Sequence, residues 1–212
     1  MSHSVRHFVG IDEVGRGPLA GPICVGACLT SLSKKQAFLA KLAGIKDSKQ
    51  LTPEAREEWV RILAQAAKKG ECRFVTVFIS EKVIDTKGLS YALHRAIGQA
   101  LKRLKVKPND CRVLLDGGIK APKAFMLQET IIKGDEKEPL IAGASIVAKV
   151  RRDKYMTRLG KRYPSYGFEQ HKGYGTKKHY EALKKHGISP FHRMSFLGKF
   201  LLREDVPIPV LE

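Results

Sequence analysis

Apolar positions along the chain fall into two rhythms, short continuous runs and helical spacing. Residues 5–11 and 22–30 (PICVGACLT) read as strands, and the glycine-rich GRGPLAG between them favours a hairpin or sharp bend. Residues 74–79 (FVTVFI) and 111–115 (CRVLL) are two further apolar runs of strand length. After a loop through residues 46–52, a helix is expected from Pro53 to about Lys69. Thr52 is its N-cap, Pro53 takes the first helical position, and Glu54 and Glu57 favour its positive end. Leu93, Ala96, Ile97, Ala100, Leu101 and Leu104 recur at helical spacing, which predicts an amphipathic helix over about 90–104. Residues 139–150 (PLIAGASIVAKV) are apolar or small almost all round, as at the start of a buried central helix, and Ala142, Gly143, Ala144 and Ser145 would let another element approach it closely. A last helix is expected over about 176–186, ended by Gly187. Residues 120–125 carry no readable pattern. Strands early and helices late predict an α/β fold, a mixed central sheet flanked by helices, with a helical C-terminal region.

The length, 212 residues, suits a single domain over 1–212, with about 163–212 as a loop-and-helix extension that contacts substrate. Thirty-nine Lys and Arg against 21 acids leave a formal charge of +18, which points to a polyanionic partner, nucleic acid before a membrane surface. Cys24, Cys28, Cys72 and Cys111 form no CxxC pair, the first twelve residues offer no apolar signal core, and no stretch is apolar enough to cross a bilayer. A reduced, cytoplasmic, monomeric protein with no membrane partner is the expectation.

The chemistry lies in acids placed just after apolar runs. Asp12-Glu13 closes the first strand, ahead of glycines at 15 and 17, and Asp116 closes the CRVLL run, ahead of two glycines. Adjacent strand residues face opposite ways, so Asp12 and Glu13 serve one site only if the strand ends or bends there. Asp153 follows the apolar stretch by about one helical turn, within Arg-Arg-Asp-Lys. Carboxylates at strand ends and on a facing helix suit an oxygen-ligated Mg²⁺ or Mn²⁺ site, and two such ions can clamp a phosphodiester for in-line hydrolysis. Taken singly, Asp12 and Asp116 read more readily as turn acids and Asp153 as a solvated helical charge paired with Arg or Lys; the set of three is what points to a metal. Asp135-Glu136 reads as a solvated loop pair.

Gly10-Ile11-Asp12-Glu13-Val14-Gly15-Arg16-Gly17-Pro18 resembles the opening signature of the type 2 ribonucleases H, the ribonuclease HII family. The resemblance continues in order through Asp47-Ser48-Lys49-Gln50-Leu51, Leu115-Asp116-Gly117, Lys133-Gly134-Asp135, Ala144–Lys149, Arg152-Asp153, Tyr163-Pro164, Tyr166-Gly167-Phe168, His171-Lys172-Gly173-Tyr174 and His192-Arg193. It implies a ribonuclease H-like fold, hydrolysis of the RNA strand of RNA–DNA hybrids, and incision 5′ of ribonucleotides embedded in duplex DNA, giving 3′-hydroxyl and 5′-phosphate ends. It also implies that Asp12, Glu13, Asp116 and Asp153 are catalytic and hold two Mg²⁺ or Mn²⁺ ions.

A ribose 2′-hydroxyl is what distinguishes RNA, and reading it calls for backbone groups at close range, which glycine permits. By resemblance, Gly15, Arg16 and Gly17 contact the ribonucleotide, and Tyr174 packs on the sugar and checks the junction with the next deoxynucleotide. Ser48 and Lys49 are expected to contact a phosphate near the cut. Lys149, Arg151, Arg152, Lys154, Arg158, Lys161 and Arg162 are expected to form a duplex-facing surface. The alternative, a non-catalytic basic nucleic-acid-binding protein, explains the charge but not the acids at two strand ends.

Overall fold

The computed structural model describes residues 5–45, 48 and 50–202. Strand β1 (His7–Val14) pairs antiparallel with β2 (Ile23–Ser31), in unbroken register from His7 opposite Ser31 to Val14 opposite Cys24, so the glycine-rich segment does close a hairpin. On the other side of β1 lies β4 (Cys111–Asp116), parallel to it, and β5 (Gln128–Ile131) lies parallel beyond. With β3 (Arg73–Ile79) beside β2, the order is β3-β2-β1-β4-β5, a mixed sheet with the first strand at its centre. β2 is buried along nearly all its length, which is why its sequence is continuously apolar rather than alternating.

The helices are α1 (Leu32–Lys41), α2 (Pro53–Lys68), α3 (Glu81–Lys87), α4 (Leu89–Arg103), α5 (Gly134–Lys137), α6 (Pro139–Arg162), α7 (Phe168–His171), α8 (Lys177–His186) and α9 (Met194–Leu201). Thr52 caps α2 by accepting from the Ala55 N–H at 3.2 Å, as its sequence predicts. Thr176 caps α8 in the same way through the His179 N–H, and Gly187 ends that helix at φ +73°. Helices α1, α3 and α9 and strand β5 lack a long periodic signature and are not anticipated by the pattern. Among the described residues no helix is long and apolar enough to cross a membrane.

The chain divides into two compact units. The first comprises residues up to Val14, Cys24–Phe78 and Leu93–Arg151 and holds the sheet. Its core gathers Phe38, Leu42, Leu63, Ala66 and Cys72 with Leu140, Ala144 and Val147 of α6. The second comprises Gly15–Ile23, Ile79–Ala92 and the chain from Arg152 onward. It packs Leu19 with Leu183, Ile188 and Leu197, and Ala20 with Met156, Leu159, Tyr166 and Phe168.

The expected basic surface needs one correction. Arg151, Lys154, Arg158, Lys161 and Arg162 are exposed and Lys149 is half-buried, but Arg152 is 0% exposed. Its guanidinium is turned inward onto the carbonyls of Ala20, Pro22 and Lys172, so it cannot face a duplex.

Candidate metal centre

Asp12 owes its position to glycine. Gly10 and Asp12 share a face of β1, and Gly26 of β2 stands opposite Asp12 in register. A Cβ on Gly10 would lie 2.5 Å from the Ile141 nitrogen and the Leu140 oxygen of α6. One on Gly26 would lie 3.0 Å from the Ala144 carbonyl carbon. Both strands therefore accept the α6 backbone directly, and the small residues of α6 make the same approach from their side. Ser145, next to Ala144, consequently hydrogen-bonds Asp12, while its Oγ meets Oγ of the buried Ser48 at 2.9 Å.

Asp116 arrives through the parallel pairing. Ile11 is level with Leu115, so the next residues, Asp12 and Asp116, emerge side by side at the carboxyl ends of adjacent strands. This is the edge of an α/β sheet where ligands bind. Gly117 turns the chain away at φ +57°, and Asp116 Oδ1 accepts the Gly134 N–H at 2.6 Å.

The third acid is Asp135, only 5% exposed, which corrects its reading as a solvated loop residue. Lys133 adopts a left-handed conformation (φ 54°) and starts α5. Gly134 is wedged so tightly that a Cβ there would lie 2.6 Å from Ile141 Cδ1. That turn drives Asp135 inward while its neighbour Glu136 stays exposed. One carboxylate oxygen from each of Asp12, Asp116 and Asp135 falls within 4.8 Å of the others. The run KGDEKE hides this acid among solvated charges; Gly134, beside the Asp in the Lys-Gly-Asp block, is its one local signal.

Electrostatically the cluster suits a cation. Burial first, then the neighbouring Glu13 and Asp116 carboxylates, push Asp12 up to about 8, against the opposing hydrogen bonds from Ser145 and the Glu13 N–H. Near neutrality the carboxyl therefore holds a proton that a divalent cation would replace. Three oxygen ligands with no sulfur or imidazole among them suit a hard ion such as Mg²⁺ or Mn²⁺.

The other expected site residues are distributed as follows. Glu13 is half-buried, one residue before β1 ends at Val14, and its charge acts on the Asp12 carboxyl. Asp153 lies half-buried on α6, in the second unit. Lys49 lies outside the described residues. Arg16 and Gly17 are exposed, whereas Gly15 is buried at φ +96°, where a Cβ would lie 2.8 Å from Arg152 Cδ. Tyr174 is 42% exposed.

The turn that carries Tyr174 is held by imidazoles to which the sequence pattern assigns no role of their own. The Gly173 N–H donates to His171 Nδ1 at 3.2 Å, and His179 Nδ1 donates to the Tyr174 carbonyl at 2.9 Å. His192 Nδ1 accepts the Ser189 N–H, which leaves its Nε2–H to donate to His179 Nε2 at 3.0 Å. Burial is the main cause that pulls His179 down to about 4 and His192 to about 3, so both imidazoles are neutral.

A family model described as Ribonuclease HII matches residues 9–199. Ribonuclease HII of Caldicellulosiruptor bescii is 40% identical over 201 residues, covering 95% of this chain and 91% of its own length. That of Endomicrobium trichonymphae is 45% identical over 187 residues, covering 88% and 83%. Among solved structures, the chain is similar to RNase HII in its complex with PCNA from Archaeoglobus fulgidus, with a TM-score of 0.70 and 28% identity, covering 96% of this chain and 98% of that one.

Proposed function

Because this chain belongs to the ribonuclease HII family of metal-dependent nucleases, we propose that its substrates are duplexes containing ribonucleotides. It hydrolyses the RNA strand of RNA–DNA hybrids and incises 5′ of single ribonucleotides embedded in duplex DNA, leaving 3′-hydroxyl and 5′-phosphate ends. It works as a monomer in the cytoplasm. The observation that carries this reading is the convergence of Asp12, Asp116 and Asp135 at the strand ends, inside the matched region of a strongly basic chain.

Asp12 and Asp116 would hold two Mg²⁺ or Mn²⁺ ions, with Glu13 as a further ligand and a fourth acid completing the set. Asp135 has the geometry for that fourth place, and Asp153 is the candidate offered by the sequence. When bound, the ions supply an activated water and stabilise the charge on the leaving 3′ oxygen. The chain's own groups prepare that chemistry. Gly134 N–H and Glu13 N–H orient the Asp116 and Asp12 carboxylates, and Ser145, backed by Ser48, holds Asp12 from α6. Gly15, Arg16 and Gly17 read the ribose, Tyr174 packs on the sugar, and Lys49 serves the phosphate near the cut, a role that the buried Ser48 hydroxyl, turned onto Ser145, does not share.

The test is incision of a DNA duplex carrying one ribonucleotide, with Mg²⁺ or Mn²⁺ and a chelator control, alongside Asp116→Asn. The expected result is a metal-dependent cut immediately 5′ of the ribonucleotide that the variant loses while still binding duplex. A folded wild-type protein that binds but never cuts would instead be a nucleic-acid-binding module.

A further inference from the structure

Among its described residues the second unit buries two arginines completely, an arrangement that carries a high desolvation cost and so demands close compensation. Arg193 meets that demand with the backbone of one short loop. Its Nε donates to the Gly21 carbonyl at 2.9 Å, one terminal nitrogen donates to Arg16 O at 2.9 Å, and the other donates to both Gly15 O and Gly21 O at 2.7 Å. Its own N–H donates to the Leu19 carbonyl at 2.7 Å, so residues 15–21 wrap around this one side chain. Arg152 extends the clasp. It lies against Gly15, donates to the carbonyls of Ala20 and Pro22, and reaches the Lys172 carbonyl at 3.0 Å, two residues before Tyr174.

The geometry of the peptide group then dictates where the donors of this loop point. In a trans peptide the carbonyl and the following N–H are directed to opposite sides, and no described peptide bond here is cis. With Gly15 O and Arg16 O turned inward onto Arg193, the N–H groups of Arg16 and Gly17 are directed away from it. A Cβ on Gly17 would meet nothing within 4 Å, so open space adjoins that donor.

We propose that Arg193, with Arg152 beside it, is a positioning residue for ribose selectivity: the two buried guanidiniums aim the Arg16 and Gly17 N–H groups at the 2′-hydroxyl and hold the Tyr174 turn in register with them. This rests on the reading that residues 15–17 and Tyr174 contact the ribonucleotide. The requirement is for the planar fork rather than for positive charge, because an ammonium cannot span three fixed carbonyls from one point. Arg193→Lys is therefore not a conservative change here.

The experiment compares the wild type with Arg193→Lys. It measures kcat/KM at a single embedded ribonucleotide, affinity for an all-DNA duplex of the same sequence, and amide hydrogen exchange in residues 15–22. The expected result is about a hundredfold loss in kcat/KM, the scale of an ångström-level misplacement, with all-DNA affinity unchanged and exchange in 15–22 accelerated. Full activity in the folded variant, or a loss matched by weaker all-DNA binding, would overturn the inference. A second measurement needs no variant: amide resonances of Arg16 and Gly17 in the wild type should shift with the ribonucleotide duplex and not with its all-DNA counterpart. Identical shifts with both would also overturn it. A wild type that cuts neither hybrid nor embedded ribonucleotide fails the proposed function itself, an outcome distinct from a selective wild type with an unimpaired variant.

Discussion

Asp12→Asn should make the metal-free protein more stable as the pH rises, although the residue lies at the centre of the site. The sign follows from linkage. In the unfolded chain Asp12 ionises at its ordinary value of 3.8, whereas burial, Glu13 and Asp116 hold it protonated up to about 8 when folded. Below about pH 4 both states are protonated and the group is neutral to stability. Between those limits only the unfolded state gives up its proton, so folding loses about 1.4 kcal/mol for each pH unit climbed. From about pH 5.5 to 7.5 the wild type should lose about 3 kcal/mol relative to the variant. For a chain of this length that corresponds to roughly 6–12 °C in Tm. The amide still accepts from the Glu13 N–H and from Ser145, so the comparison isolates the charge. Melting curves in chelator across that range provide the assay, repeated with Mg²⁺ or Mn²⁺. The cation should raise the wild-type Tm most at the alkaline end and the variant's far less. Tm curves of wild type and variant that run parallel from acid to neutral pH would refute the argument.

Asp135→Asn should weaken Mn²⁺ binding and reduce cleavage by a hundredfold or more, about the loss on removing one charge-stabilising group from an active site; calorimetry and steady-state rates on Asp135→Asn and Asp153→Asn, side by side, decide which acid completes the set. Tyr174→Ala should impair cutting at a single ribonucleotide more than cutting of long hybrids, and equal losses on both would remove its junction-sensing role. Gly10→Ala drives a methyl group into the Leu140–Ile141 backbone and should cost about 1–3 kcal/mol by denaturant titration, the range of overpacked cores. A variant as stable as the wild type would mean that α6 does not rest directly on β1.

Local pattern carried most of the scaffold. The apolar runs of β1, β2, β3 and β4, the Thr52 cap, the Gly187 stop and the small residues of α6 are each legible because backbone periodicity, capping and close approach depend on residues near in the chain. So are Asp12 and Asp116, which stand out as acids at the ends of apolar strands. Asp135 does not stand out, because its burial follows from the turn at Lys133-Gly134, where Ile141 and Ile131 close on Gly134. Arg152 fails in the opposite sense: within a basic run it reads as a surface charge, yet distant carbonyls at 20, 22 and 172 converge on it. Sequence alone thus determined strands β1 to β4, the main helices, the basic character and the acids at two strand ends. Tertiary structure decided which charges are buried, because a buried charge is tolerable only where groups remote in sequence meet to satisfy it, and no local pattern records that meeting.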